Sequence, residues 1–169
     1  LASKTDILML EIGGTIGDKE TEIIFDAVNL IKNRKQADVQ TIMLSPYFEK
    51  QSEEGLELSF RSKITRQAYE KSWRLGVVPD AIVLRTSESD DLRRNDLEYI
   101  ALETGLDDPN DVYLDPNCFS IYQLPEIISQ QSMDSRILGK LGLQPKLITR
   151  TNRLSTYLKS LNGLSEKSS

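Results

Sequence analysis

The sequence predicts an α/β fold in which a parallel sheet carries helices on both faces. Short apolar runs alternate along the chain with longer segments whose apolar residues recur at helical spacing. Strands are predicted at residues 6–11, 39–44, 81–84 and 111–114. Because strands that alternate with helices usually pair in parallel, helices should cover both faces of the sheet.

The helices predicted between these strands begin with residues 20–35, where apolar side chains share one helical face. Residues 64–75 are the second helix, which Gly76 should end in the usual C-terminal position. Residues 90–104 are the third, followed by Gly105. The apolar residues of the first helix could serve either the core or an interface between copies of the chain, and the sequence does not separate these roles.

The segments after the fourth strand are shorter and close the globule. Residues 121–132 and 137–143 carry apolar residues, the latter in a short helix. A last helix is predicted at residues 151–161, before a polar end that should fray. We therefore divide the chain into one domain at residues 1–150 and a C-terminal helix and tail at residues 151–169.

Composition excludes several classes of function. The 169 residues suffice for one good core, and a net charge of -5 does not favour binding to nucleic acid. Histidine is absent, which excludes histidine-dependent nucleophilic catalysis and histidine-ligated metals. Any metal should therefore be a hard ion held by oxygen, most plausibly Mg²⁺. No apolar run approaches the roughly 20 residues that cross a bilayer, so we expect a cytoplasmic protein without a membrane partner.

A glycine-rich stretch from Glu11 to Glu20 follows the apolar residues 7–10 and has the features of a binding site. Ligands of open parallel sheets bind beyond the carboxyl ends of the strands, where Glu11 should lie. Its carboxylate could hold Mg²⁺ bridging to phosphates, or it could form a structural ion pair. Asp18 and Glu20 suit neutral hydrogen-bond donors, or alternatively cap the helix and complement its dipole.

The same stretch resembles the glycine-rich segment of the synthetase (amidoligase) domain of CTP synthases. Glu11 to Glu20 is similar to the family's Glu-Ile-Gly-Gly-Thr-Val-Gly-Asp-Ile-Glu. Residues 44–47 resemble its Leu-Val-Pro-Tyr, and residues 76–80 its Gly-Ile-Gln-Pro-Asp. The resemblance covers about residues 7–143 and places the chain in the second half of that domain.

The resemblance implies a P-loop-NTPase-like fold lacking the N-terminal P-loop unit, which would precede Leu1, and lacking the glutaminase domain. In CTP synthases this domain phosphorylates UTP with ATP, and ammonia then displaces the phosphate. The chain is thus expected to be part of an ATP-dependent ligase that aminates UTP to CTP, inactive as this chain alone. Two alternatives are a non-catalytic relative that senses pyrimidine nucleotides or binds proteins, and an amidoligase with another substrate.

The resemblance also assigns residues. It makes Glu11 a Mg²⁺ ligand and aligns the family's Lys-Thr-Lys-Pro-Thr-Gln nucleotide segment with residues 61–66, without assigning a catalytic residue. Tyr99 replaces a later nucleotide-contacting lysine. The implied ligands are CTP or UTP, and possibly ATP, in a homo-oligomer. The implied nucleotide-binding residues are Asp18, Lys19, Glu20, Arg61, Ser62, Lys63, Thr65 and Arg66. The alternative for the cations among them is a solvated face.

Overall fold

A computed structural model describes residues 6–47, 62–86, 94–118 and 120–144. Arg61, the predicted helix at residues 151–161 and the boundary of the tail at residue 150 lie outside this part of the chain. Two short 3₁₀ turns, Pro109–Asp111 and Ile121–Gln123, precede the third strand and the fourth α-helix. The helices and strands are α1 (Lys19–Asn33), β1 (Ile42–Pro46), α2 (Lys63–Arg74), β2 (Ala81–Thr86), α3 (Arg94–Thr104), β3 (Val112–Pro116), α4 (Leu124–Gln130) and α5 (Met133–Lys140).

The sheet of the described residues has the order β1-β2-β3, and both pairs of strands are parallel. In the register, Ile42 lies opposite Ala81 and Ile82 lies opposite Val112. Four consecutive residues of β2, from Ala81 to Leu84, are buried. This burial on both faces is what a central strand of a covered parallel sheet requires.

Helices pack on both faces of the sheet, as the sequence predicts. Ile82 and Leu84 of β2 contact Tyr69 of α2 and Ile100 of α3 on one face. On the other face, Val83 joins a smaller cluster of apolar residues from β3, α4 and α5. The α/β fold with a parallel sheet is therefore confirmed. Within the described residues, no helix is both long and apolar enough to cross a membrane.

The strand predicted at residues 6–11 is not formed, and this prediction is wrong. The segment has no strand pairing, and its apolar residues are exposed, with Met9 at 90%. A strand requires a neighbour that satisfies its backbone groups, whereas apolar composition reports only a tendency to be buried. In the described structure β1 pairs with β2 alone, and residues 6–11 do not pair with its other edge.

The first helix shows which of its apolar residues belong to the core. Phe25 and Thr21 are buried, one turn apart, whereas Ile23 is 74% exposed. One turn further on, the Asn29 side-chain amide donates to the carbonyl of Leu75 at 2.7 Å. The helix is therefore attached to the end of α2 through one face, and Ile23 does not contribute to the core.

Close packing at the end of α2 makes Gly76 sensitive to substitution. Its φ is +80°, and a Cβ there would lie 2.6 Å from Asn29 Nδ2. We expect Gly76→Ala to lower the free energy of unfolding by about 2 kcal/mol or more, because left-handed strain adds to the disturbed Asn29 hydrogen bond. Gly105→Ala is the control. Its φ is +73°, but among the described residues beyond its chain neighbours no atom lies within 4 Å of the position that a Cβ would occupy. This substitution should cost about 1 kcal/mol. Urea denaturation measures both, and equal losses would contradict the packing argument.

An ion network ties α5 to the start of β3. Arg136 Nη2 donates to Asp108 Oδ2 at 2.7 Å and to Asp111 Oδ1 at 3.0 Å. Lys140 Nζ donates to the other oxygen of the buried Asp111 at 2.6 Å. The amide of Asn110, followed by Arg136, lowers the pKa of Asp108 from 3.8 to about 2. The charged form of Asp108 thus stabilises the fold.

This lowered pKa gives a pH dependence whose sign is defined. A carboxyl with a depressed pKa stabilises the folded state above its unfolded pKa and loses this contribution as pH falls through the folded value. We expect wild type to be more stable than Asp108→Asn above about pH 4, and the difference to disappear towards pH 2. Urea denaturation across this range measures it. A difference that does not change with pH would contradict the expectation.

Candidate functional site

The glycine-rich stretch forms a loop that its own hydrogen bonds hold in shape. Gly14 and Gly17 have φ of +95° and +97°, values that favour glycine. The Thr15 amide donates to Asp18 Oδ2 at 3.2 Å, and the Thr21 hydroxyl donates to the Asp18 carbonyl at 2.7 Å. The loop thus has a defined conformation before any ligand is considered.

Asp18, Lys19 and Glu20 lie at the point where the loop enters α1, and all three side chains are exposed. Asp18 is the residue immediately before α1, but its carboxylate accepts no hydrogen bond from the amides of the first helical turn. It accepts from the Thr15 amide instead. Glu20 lies in the first turn, where a negative charge complements the helix dipole. The predicted carboxylates are therefore accessible, and the capping alternative for Asp18 is not what the structure shows.

Glu11 is exposed and makes no ion pair with a described Lys or Arg, so the structural ion pair is not seen there. The described residues also contain no cluster of three or more His, Cys, Asp or Glu side chains able to enclose a metal. Glu11 itself offers the oxygens of one carboxylate. That donor set fits Mg²⁺ that is mostly held by water and phosphate, and it does not fit an ion held by protein alone.

Two residues of the second predicted segment are part of the core. Ser62 and Thr65 are buried, and the Thr65 hydroxyl lies 2.9 Å from the Ser45 hydroxyl of β1. Lys63, between them in sequence, is exposed. Lys63 is thus accessible to a ligand, whereas the hydroxyl of Thr65 is already used in attaching α2 to the sheet.

Arg66 is held by carboxylates of the protein. Its Nη1 donates to Glu103 of α3 at 2.7 Å, and its Nε lies 3.9 Å from Glu70. The guanidinium is partly exposed, but much of its charge is balanced in this state. A nucleotide would have to share Arg66 with Glu103, so the position differs from a free cationic site.

The structure does not join the two predicted segments directly. Among the described residues, no hydrogen bond or ion pair links Asp18, Lys19 or Glu20 to Lys63, Thr65 or Arg66. The loop instead borders a cleft of about 270 Å³ next to the C-terminal end of α2. The residues lining this cleft, hereafter the loop cleft, are Ile16, Gly17, Asp18, Lys71, Arg74 and Leu75.

Sequence reasoning missed the two cations of the loop cleft. Lys71 and Arg74 are three residues apart on α2, and residues at this spacing share a helical face. That spacing was a signal for a basic patch. Their position beside the glycine loop was not available from spacing, because it depends on how α1 and α2 pack.

The chain is similar in sequence to known proteins over most of its length. The family model described as the CTP synthase N-terminus matches residues 1–143. The chain belongs to this family. The CTP synthase of Methanosphaera stadtmanae is 31% identical over 159 residues, which are 92% of this chain and 27% of that protein. That of Staphylococcus saprophyticus is 28% identical over 169 residues, 98% of this chain and 30% of that protein.

Membership of the CTP synthase N-terminus family confirms the resemblance to CTP synthases and refines it. The matching family is the N-terminal region, and the match does not support the narrower placement in a second half of the synthetase domain. The CTP synthase of Thermotoga maritima is 27% identical over 152 residues, 88% of this chain and 27% of that protein. The chain thus spans less than a third of the length of these relatives.

The buried pair of Ser45 and Thr65 gives a test of its structural role. We expect Thr65→Val to lower the free energy of unfolding by about 1 to 2 kcal/mol, because the buried Ser45 hydroxyl keeps only its long 3.5 Å contact to the Pro46 carbonyl. Adding Ser45→Ala should recover part of this loss, because no buried hydroxyl then remains unpaired. Urea denaturation of the two single variants and the double variant measures the coupling. Additive losses would contradict a mutual hydrogen bond.

Proposed function

We propose that this chain is the nucleotide-binding part of an ATP-dependent ligase that aminates UTP to CTP. The observation that supports this most is the family match over residues 1–143, which includes the ordered loop with its exposed carboxylates. Relatives that match over most of this chain are CTP synthases. Because the chain spans less than a third of their length, the complete activity is a proposal for the whole enzyme.

Asp18, Lys19 and Glu20 bind the pyrimidine nucleotide in this proposal. Their side chains are exposed at a loop whose conformation is set by its own hydrogen bonds. A carboxylate accepts from the amino group of a cytosine base, and the negative charge makes it a poor partner for phosphate. CTP therefore suits this end of the site, with the base directed to the carboxylates, whereas UTP could offer them only its ring N–H donor.

The second segment contributes charge and shape. Lys63 is exposed and supplies a positive charge for the phosphates. Arg66 supplies less positive charge, because it is paired with Glu103. Ser62 and Thr65 support the backbone at the start of α2 from inside the core, and Arg61 stays a prediction. Glu11 would hold a Mg²⁺ ion through its carboxylate, and the ion would supply positive charge for the phosphates of ATP or UTP.

A second candidate is a non-catalytic relative that senses pyrimidine nucleotides. The ion pair between Arg66 and Glu103 supports it, because this pair reduces the charge left for a triphosphate. Tyr99 also stands where the resemblance implies a lysine.

Under either candidate this chain alone should not form CTP, since phosphoryl transfer depends on a phosphate-binding lysine that the resemblance assigns to the P-loop. Homo-oligomeric assembly is a further proposal, tested by light scattering.

Calorimetric titration with CTP, UTP and ATP, with and without Mg²⁺, tests these proposals. We expect pyrimidine nucleotides to bind more tightly than ATP to this chain. Asp18→Asn with Glu20→Gln should weaken CTP binding by about tenfold or more, since hydrogen bonds to charged groups contribute about 1.5 to 3 kcal/mol each. Glu11→Gln should weaken binding only when Mg²⁺ is present, because its oxygens act through the ion.

The matched control is Glu126→Gln, which neutralises an exposed carboxylate in the first turn of α4. It should leave every affinity unchanged. Absence of binding by all three nucleotides would contradict both candidates. Pyrimidine binding together with restored CTP formation on addition of the remaining CTP synthase segments would favour the ligase, and binding without restored activity would favour the sensor.

A further inference from the structure

The loop cleft is lined by two cations, Lys71 and Arg74 of α2. Neither Lys71 nor Arg74 makes an ion pair within the described residues. The one carboxylate lining the cleft, Asp18, accepts a hydrogen bond from the Thr15 amide. By contrast, Arg66 has Glu103 at 2.7 Å. Within the described residues, the cleft wall formed by α2 therefore has positive charge without an ion-pair partner.

A simpler role for these cations is compensation of the dipole at the end of α2. Both lie in its last turn, where positive charge is favourable. That role would be met by side chains extended into solvent. Lys71 does not extend freely, because its Cδ lies across Gly17, 3.8 Å from the position that a Cβ there would occupy. The exposed Lys71 side chain thus lines the open cleft beside the loop, a placement that the dipole alone does not require.

We propose that the loop cleft binds the phosphate group of a small phosphorylated ligand, or free phosphate, between Lys71 and Arg74. Phosphate oxygens accept charge-assisted hydrogen bonds from ammonium and guanidinium groups, and a guanidinium binds two of these oxygens at once. A volume of about 270 Å³ accommodates such an anion with water around it. Asp18, on the loop side, accepts from a hydroxyl of the ligand and disfavours a second anionic group.

The two cations of this site are not among the proposed nucleotide contacts, although Asp18 lines the loop cleft and belongs to both sites. The resemblance to CTP synthases assigns no role to Lys71 or Arg74, and both lie near the end of α2 opposite to Lys63. The inference therefore does not rest on the proposed function. Loss of phosphate binding and loss of CTP binding are separable, because different substitutions remove them.

Calorimetric titration of the full chain with inorganic phosphate and with ribose 5-phosphate, at constant ionic strength set with sodium chloride, tests the proposal. We expect saturable binding by wild type and a loss of about tenfold or more in Lys71→Gln with Arg74→Gln. Tighter binding of ribose 5-phosphate would identify a phosphorylated ligand, and equal binding would identify phosphate itself. Either result supports the site.

Arg34→Gln with Lys35→Gln is the matched control. It removes the same charge from exposed positions after α1 and should leave both affinities within about twofold of wild type. Arg74→Gln alone serves if the double cleft variant does not fold, and it should still weaken binding severalfold. Absence of saturable binding by wild type would overturn the proposal. Equal affinity in wild type and the cleft variant would also overturn it.

Discussion

The carboxylate of Asp80 joins β1, β2 and α1 at the end of the sheet where the strands begin. Its Oδ2 accepts from the amide and the hydroxyl of Thr41, both at 2.7 Å, and from Lys32 of α1 at 3.2 Å. The Asp80 amide donates back to the Thr41 carbonyl at 2.7 Å, and Lys140 of α5 donates to the Asp80 carbonyl at 2.9 Å. Because Thr41 and Asp80 each precede a strand, these bonds define the register of the two strands. The glycine loop leads into α1, so its position beside α2 depends on the same attachment.

Most of the fold could be predicted from the sequence because the elements carry local signals. Helical spacing located α1 and α2 within one residue or two of their ends, and Gly76 has the positive φ expected of a glycine after a helix. The run at residues 6–11 carries an equally good signal for burial, yet it is exposed. Burial tendency is a property of the segment, whereas strand pairing is a property of two segments. The local pattern therefore predicts β2 correctly, because this strand has a partner on each side. It fails at residues 6–11, which pair with no described strand.

The candidate site was less predictable, for reasons that the individual residues show. The sequence identified the carboxylates of Asp18 and Glu20, which are exposed, because the loop that carries them is held by hydrogen bonds between residues close in sequence. It could not show that Thr65 bonds Ser45, 20 residues away, or that Arg66 bonds Glu103, 37 residues away. Both residues keep the donor groups that suggested ligand binding, but the fold satisfies those groups. Residue type predicts which interactions are available, and tertiary packing decides which are already made.

The glycine loop is ordered without a ligand, and this order affects the conformational entropy that binding would cost. The hydrogen bonds from Thr15 and Thr21 to Asp18 hold the loop without a ligand, and two glycines adopt φ values that other residues rarely reach. A loop that is ordered before association loses less conformational entropy on binding than a disordered one. Affinity then depends on the side chains that the loop presents and on the cations that α2 places beside it. If the proposed phosphate site exists, changes at Lys71 and Arg74 would alter the anion bound there while the backbone of the loop stays the same.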